Sequence, residues 1–249
     1  MLRAFISVLT CILLASPVMA QSPTKMWGKV LTSHISTPDD GVARFDYAGL
    51  KSDPAAQDAL TAYLHHFEAK DLSEVTPENF ANWINIYNAA TIQHIVSRYP
   101  TKSIRDGYLF GGPWKKVHIT INNQPVSLHE IEHEILRETY KDPRLHYALN
   151  CASYGCPDLK STLWTAETLT SDLDAAARAY INHPRGVTVT SSGLTLSRIF
   201  KWYRDDFGGS DASILTHLQS HADEPLASAL ENRPSIRNYE YDWSLNDLK

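Results

Sequence analysis

The most regular feature of the chain is a recurrence of apolar residues every three or four positions, the spacing of a helix with one buried face. It predicts a helix over residues 54–70, with Asp53 as the N-cap. A second helix is predicted from Pro77, a favoured first helical residue, to Pro100, which stops it. Apolar residues lie on nearly every side of this second helix, so we expect it to be buried almost all round.

Other stretches alternate apolar and polar residues, which is the pattern of a half-buried strand. Residues 117–126 and residues 187–196 each alternate on both sides of an Asn-Asn or Ser-Ser-Gly turn, and each predicts a β-hairpin. Residues 236–241 alternate more loosely and are expected to dock as a late strand. Residues 145–149 alternate as well, so we predict a strand that delivers Cys151 to a turn.

These elements predict one domain of the α+β class, mostly helical, with short antiparallel hairpins. Residues 1–20 are assigned to a signal peptide, residues 21–39 to a polar N-terminal extension over the surface, and residues 40–249 to the domain. Further helices are predicted after the cysteine-bearing stretch, at residues 165–182, 197–209, 212–221 and 226–231.

Residues 1–20 have the features of a cleaved secretory signal: a positive charge at Arg3, an apolar run, and small residues up to Ala20. The apolar run is shorter than the roughly 20 residues of a transmembrane helix. We therefore expect an exported protein, periplasmic or secreted, without a membrane span after cleavage. An uncleaved membrane anchor is the alternative.

The charge balance argues against nucleic acid as a partner. Of the 23 basic side chains only Arg3 lies in the signal, so the mature chain would keep 22, against 28 acidic ones. Binding to phosphate backbones requires a basic face, and the sequence contains no cluster of lysine and arginine. The expected partner is a small molecule or a peptide substrate, and the sequence does not indicate an oligomeric state.

A third helix is predicted from Leu128 to about Tyr140. Ideal helical geometry places Glu132 on its buried face. Because a buried carboxylate requires a partner, we expect a cation or donor such as Arg137, Arg144 or a histidine beside it. Glu132 then belongs either to a structural ion pair or to a catalytic site.

The same helix contains His129, Glu130 and His133 in the His-Glu-x-x-His pattern of zinc hydrolases. The longer metzincin pattern fails, because Leu136 and Thr139 stand where its glycine and third histidine belong. Five letters are a weak signal on their own. We therefore expect no metal site and no cofactor, and keep a zinc hydrolase as the least favoured alternative.

Cys151 and Cys156 are the two cysteines that follow the signal, and four residues separate them. This spacing matches neither a redox Cys-x-x-Cys motif nor a common zinc knuckle. One interpretation is a disulfide that closes a small loop in an exported protein. The other makes Cys151 a thiolate nucleophile that is activated by His133 or His146, with Glu132 as electrostatic support.

Several polar residues are candidates for binding a substrate near these cysteines. Asn85 and Asn88 lie on the buried second helix, and their amides either bond to loop backbone or donate to a ligand or an oxyanion. The binding candidates are Asn85, Asn88, Arg137, Arg144, Asn150, Ser153 and Cys156.

Five motifs, in this order and spread over about residues 40–245, resemble those of a family catalogued as domain of unknown function 547. They are FANWINIYNA, SLHEIEHEILR, DPRLHYALNCASYGCPDL, SRIFKWYRDDFG and YEYDWSLND. The resemblance implies that the important segments are the I-E-H-x-I-L-R helix around Glu132 and the N-C-x-S-x-x-C-P loop around Cys151. The family occurs in exported bacterial proteins and in plants and has no agreed activity, so it implies the place of a site and not its reaction. His129 is not part of that pattern.

The leading functional hypothesis is a thiol-dependent hydrolase or an acyl or peptidyl transferase with Cys151 as nucleophile and Asn85, Asn88 or Asn150 as oxyanion donors. A papain-like or transglutaminase-like fold would suit it, although the histidine precedes the cysteine here, unlike in those enzymes. The alternative is a non-catalytic module in which a Cys151–Cys156 disulfide shapes a ligand pocket. The enzyme hypothesis requires the third helix to lie against the cysteine loop.

Overall fold

The computed structural model describes residues 21–109, 112–232 and 234–248. The predicted signal peptide lies outside the described residues. The α-helices are α1 (Pro23–His34), α2 (Tyr47–Ser52), α3 (Pro54–His65), α4 (Pro77–Arg98), α5 (Leu169–Ile181), α6 (Ile199–Trp202), α7 (Asp211–His221) and α8 (Leu226–Glu231). The strands are β1 (Ile35–Ser36), β2 (Arg44–Phe45), β3 (His118–Ile121), β4 (Gln124–Ser127), β5 (Val187–Thr190), β6 (Gly193–Ser197) and β7 (Ile236–Glu240). A π-helix (Glu130–Tyr140) and a 3₁₀-helix (Pro143–Tyr147) complete the order.

Helix α4 is the centre of the larger hydrophobic core. The Thr76 side chain accepts a hydrogen bond from the backbone N–H of Asn79, and Pro77 occupies the first helical position. The helix ends two residues before Pro100. Fourteen of its residues are buried and they occur on every side, so the prediction of a helix buried almost all round is confirmed.

Both hairpins and the late strand are also confirmed. Strand β3 pairs antiparallel with β4, and β5 pairs antiparallel with β6. Strand β7 adds to β6 in parallel and completes a three-stranded sheet. The helix-rich α+β class therefore holds for the described residues. None of the helices in this part of the chain combines the length and apolarity of a transmembrane span.

The segment assigned to an N-terminal extension differs from the prediction. Residues 23–34 form helix α1, which packs on α3 and buries Trp27, Val30 and Leu31 in the core. The sequence showed only a polar segment because few of its residues are large and apolar, and Trp27 is the largest of those that are buried.

The strand predicted at residues 145–149 is wrong, because the segment forms a 3₁₀-helix. The Asp142 side chain accepts the backbone N–H of Arg144, and Pro143 takes the first helical position. Leu145, His146 and Tyr147 are all buried, so the alternation of residue types does not mark an inner and an outer face. His146 is a polar residue type at a buried position, so it produced an alternation that does not correspond to two faces of a strand.

The third helix begins where the sequence predicts it, but residues 130–140 adopt the wider π form with i→i+5 hydrogen bonds. Lys141, with a positive φ of 51°, terminates it. Glu132 is only 4% exposed, as predicted. The π-helix contacts both α4 and the 3₁₀-helix, and this packing carries its inner face to the cysteine loop.

Candidate functional site

A cavity of about 300 Å³ lies where the π-helix, the cysteine loop, α6 and the C-terminal segment meet. Its walls are mostly aromatic and apolar. The lining residues include Tyr87, Trp114, Glu132, His133, His146, Leu149, Cys151, Cys156, Ile199, Trp202, Tyr203, Tyr241 and Trp243. Of the residues predicted to carry chemistry, Glu132, His133, His146, Cys151 and Cys156 all reach this cavity. The juxtaposition on which the enzyme hypothesis depends is therefore present.

Glu132 lies at the end of a directed chain of hydrogen bonds. The indole Nε1 of Trp114 donates to the Tyr87 hydroxyl at 3.1 Å, and that hydroxyl donates to Oε2 of Glu132 at 2.9 Å. An indole nitrogen is only a donor, so the single proton of Tyr87 points to the carboxylate. The Tyr203 hydroxyl donates to the other oxygen, Oε1. Both carboxylate oxygens thus accept phenolic hydrogen bonds.

The hydroxyl groups of Tyr87 and Tyr203 stay protonated and can therefore donate these hydrogen bonds. Burial, followed by the nearby charge of Glu132, raises the pKa of Tyr87 and of Tyr203 well above the ordinary value. The predicted partners of Glu132 were Arg137, Arg144 or a histidine, and none of these forms a hydrogen bond to it. The sequence did not reveal Tyr87 because its ring lies on the apolar stripe of α4 and was counted as core.

Arg137 instead pairs with Asp206, a residue that the sequence did not single out. Its Nε and Nη2 bind the two carboxylate oxygens at 2.6 and 2.8 Å. Nε2 of His146 lies 2.7 Å from Oδ2 of the same carboxylate. Burial raises the pKa of Asp206, but the hydrogen bonds from His146 and Arg137 outweigh that effect and hold this pKa well below its ordinary range.

His133 is held in one tautomer by Arg137. Nη1 of Arg137 lies 2.8 Å from Nδ1 of His133, and a guanidinium can only donate. Nδ1 is therefore the acceptor, and in the neutral ring the proton resides on Nε2. Burial, chiefly, lowers the pKa of His133, so the ring stays neutral at pH 7.

The Sγ atoms of Cys151 and Cys156 lie close to disulfide distance, and their Cα atoms are 6.3 Å apart. The Tyr241 hydroxyl is 3.1 Å from each sulfur. The backbone N–H of Cys151 donates to Sγ of Cys156 at 2.9 Å, and the Ser153 hydroxyl lies 3.3 Å from Sγ of Cys151. Cys151 is partly exposed at the cavity, whereas Cys156 is buried.

The histidines share the cavity with the cysteines but do not pair with them. Within the described ranges, the polar side-chain partners of both sulfurs are hydroxyl groups and no imidazole is among them. His146 is bound to Asp206 and His133 to Arg137. The direct thiol–imidazole contact of the nucleophile hypothesis is absent from this arrangement. Tyr241 occupies that place.

The side chains of the three candidate asparagines form hydrogen bonds with backbone groups. Asn85 bonds to both backbone groups of Trp164, at 2.8 and 3.0 Å. Asn88 donates to the carbonyl of Ala148 and accepts the N–H of Asn150, at 2.9 and 2.8 Å. The Asn150 side chain donates to the carbonyl of Pro157 at 2.8 Å and so closes the cysteine loop on itself. None of these amides lines the cavity, in agreement with the backbone-bonding alternative rather than with oxyanion donors.

Two further candidates lie away from the cavity walls. Arg144 forms ion pairs with Asp142 and Asp174. Glu130, the base of the zinc-hydrolase pattern, accepts both the backbone N–H and the hydroxyl of Ser127 and so caps the helix start. Nowhere in the described ranges do three histidine, cysteine, aspartate or glutamate side chains converge in a group that could hold a metal ion. The zinc-hydrolase alternative stays an untested prediction, and its two histidines, His129 and His133, both line the cavity.

The aromatic side of the cavity comes from α6 and the C-terminal segment. Trp202 packs on Tyr241 with ring centroids 4.8 Å apart and on Trp243 at 5.5 Å. Trp114 meets Trp243 edge to face at 5.8 Å. These contacts join residues about 40 and 130 positions apart in sequence, so no local pattern could reveal them.

Comparison with known proteins relates the chain to a family. No curated protein and no solved structure matches the chain. A family model matches residues 70–181. This segment contains α4, the π-helix, the cysteine loop and α5, but not the cavity wall formed by α6 and the C-terminal segment. Residues 70–181 match the model of the family described as protein of unknown function, DUF547, which confirms the family resemblance that the motifs predicted.

Proposed function

We propose that this protein binds a small organic ligand in the cavity between the π-helix and the cysteine loop. The observation that carries the proposal is the composition of the cavity wall, which combines a large aromatic surface with a few convergent polar groups. Ligand pockets in proteins have this combination: apolar surface supplies affinity, and the polar groups fix orientation.

The rigidity of the walls supports binding. The cysteine loop is fastened by Asn88 and Asn150, and the π-helix is fastened through Glu132 to two tyrosines. A preformed site loses little conformational entropy when a ligand enters. The cysteine pair would then form one wall of the pocket, as the binding-module hypothesis holds.

Export remains part of the proposal. Arg3 and the apolar run after it favour a cleaved signal, and disulfides persist in the oxidising compartments to which such signals lead. We expect protein purified from its native compartment to begin after Ala20 and to contain the Cys151–Cys156 disulfide. Mass spectrometry of the intact chain, with and without reductant, measures both: the reduced form is heavier by two hydrogen atoms.

Binding is tested with a panel of small neutral, cationic and anionic organic compounds, followed by protein NMR. We expect at least one class to shift signals from Trp114, Trp202 and Trp243, whose indole N–H groups report on the cavity. Trp202→Ala should weaken this binding, and Tyr108→Ala, an aromatic change away from the cavity, should not. If no compound binds, or if the shifts map elsewhere, the ligand-binding proposal is wrong.

A thiol-dependent hydrolase or an acyl or peptidyl transferase is the second candidate. The observation in its favour is that Cys151, His133, His146 and Glu132 face one cavity. Such an enzyme needs the reduced Cys151 thiolate, so an electrophilic probe should label it only after reductant is added. If Cys151→Ala leaves labelling and turnover unchanged, this candidate is eliminated, while the binding proposal is untouched.

A further inference from the structure

We propose that the occupant of the cavity is a small organic cation with a substituted ammonium group. This inference rests on the proposed ligand-binding function and specifies its ligand class. It follows from three features of the cavity: the charged residues of its lining, the hydrogen bonds to Glu132, and the electron-rich rings that border the space.

The charge of the lining favours a cation over an anion. Among the described residues that line the cavity, Glu132 is the only acidic one, there is no lysine or arginine, and the basic side chains are His129, His133 and His146. Arg137, the nearest guanidinium to the cavity histidines, is neutralised by its bidentate pair with Asp206. An anionic ligand would meet the buried Glu132 carboxylate with no lysine or arginine among the described lining residues to compensate for it.

Phenolic hydroxyl groups hold both oxygens of the Glu132 carboxyl group. Tyr87 must donate to Oε2, because Trp114 already uses it as an acceptor. Tyr203 donates to Oε1. A carboxylate that accepts two phenolic protons forms charge-assisted hydrogen bonds, and these stabilise its negative charge. Glu132 lines the cavity, so the charge of its carboxylate would act on a cation bound there.

The rings complete the site. Trp114, Trp202, Trp243 and Tyr241 border the cavity and contact one another, so their faces and edges are fixed. Indole is the ring that attracts cations most strongly. Trp243 already acts in this way, since the guanidinium of Arg105 lies 4.9 Å from its centroid in the adjacent groove. A substituted ammonium ion gains from such rings and, unlike a primary amine, does not need three hydrogen-bond acceptors.

The preference for a cation is tested with three compounds that have nearly the same shape and different charge. They are choline, its neutral carbon isostere 3,3-dimethylbutan-1-ol, and the anion 3,3-dimethylbutanoate. Titration calorimetry on the folded, oxidised protein should show choline binding about tenfold or more tighter than the neutral compound, which corresponds to ~1.4 kcal/mol or more of charge recognition. The anion should bind more weakly than both.

Two variants assign the effect to the residues. Glu132→Gln removes the charge and should reduce choline affinity about tenfold while leaving the affinity for the neutral isostere unchanged. Trp202→Leu keeps apolar surface at a half-exposed position and should weaken choline selectively. The Trp202 variant keeps the test valid if Glu132→Gln does not fold.

The possible results separate this inference from the function on which it rests. If the neutral isostere binds as tightly as choline, the cation inference is overturned and the ligand-binding function stands. If none of the three compounds binds but other compounds of the panel shift the cavity indoles, the cation inference is again overturned. If no compound of any class binds, both proposals fail together.

Discussion

The hydroxyl group of Tyr87 donates a 2.9 Å hydrogen bond to Oε2 of Glu132, and this contact connects the central helix α4 with the π-helix. Both residues are buried. The bond fixes the one carboxylate that the described residues contribute to the cavity lining, and its direction depends on a third residue, Trp114. The same contact is therefore both a structural tie and a determinant of the proposed site.

Replacing Tyr87 with phenylalanine should destabilise the fold and disturb the site. The change leaves the Trp114 Nε1–H without its acceptor and removes one donor from Glu132, so we expect a loss of about 1–3 kcal/mol in the free energy of unfolding. Denaturant unfolding measures it. Tyr154→Phe removes an exposed phenolic hydroxyl and should change stability by no more than about 0.5 kcal/mol. Equal effects of the two variants would contradict the role given to Tyr87.

Asp206 should contribute stability that is lost in acid. Its pKa in the folded state is depressed, so the contribution is fully present above the pKa of an unfolded aspartate, about 3.9, and disappears as the pH falls through the lower folded pKa. Asp206→Asn should cost about 1–3 kcal/mol at pH 7, because Arg137 and His146 both lose the carboxylate.

The measurement for Asp206 is the unfolding free energy of both proteins between pH 2 and pH 7. The variant should lose less stability than the wild type as the pH falls below about 4. Asp40→Asn breaks the surface pair with Arg44 and serves as the matched control, with a smaller effect at pH 7. Parallel pH curves for wild type and Asp206→Asn would show that the carboxylate is not stabilised in its ionised form.

His217 should make stability depend on pH in a different window. Burial, chiefly, lowers its pKa to about 4. An unfolded histidine titrates near about 6.5, so the unfolded state binds more protons between these values, and stability falls as the pH drops from about 6.5 towards 4. We expect His217→Gln to reduce this fall by about 1–3 kcal/mol.

Glutamine is the suitable replacement because Nε2 of His217 lies 2.8 Å from the buried Tyr147 hydroxyl, which needs an acceptor. His118→Gln, at an exposed position, controls for the loss of an imidazole elsewhere. The readout is chemical denaturation at closely spaced pH values. A pH dependence that is identical in wild type and His217→Gln would refute the assignment.

Asn88 should be essential for the shape of the cysteine loop. Asn88→Ala leaves the carbonyl of Ala148 and the N–H of Asn150 without partners in the interior, at about 1–3 kcal/mol for each group. Asn79→Ala, on the same helix, removes a bond to an exposed carbonyl and should cost much less. Both effects are read from thermal unfolding. If Asn88→Ala lowered the stability no more than Asn79→Ala, the cysteine loop would be held by other contacts.

The periodic parts of the structure were accessible from the sequence, because local spacing records a single buried face. Thr76 and Pro100 predicted the two ends of helix α4. The alternation of residue types and a glycine-containing turn predicted the hairpin at residues 187–196. The 3₁₀-helix at residues 143–147 was mistaken for a strand. A buried histidine at position 146 appeared as a polar position, and its aspartate partner lies 60 residues further along the chain.

The sequence by itself determined the class of the fold, the burial of Glu132, and the family resemblance that selects the π-helix and the cysteine loop. Only the tertiary structure decided the partners: Tyr87 and Tyr203 for the carboxylate, Asp206 for Arg137 and His146, and Tyr241 for the sulfurs. Hydrophobic periodicity reports which face of an element is buried. It does not report what covers that face, because such contacts join segments that are far apart along the chain and close only after packing.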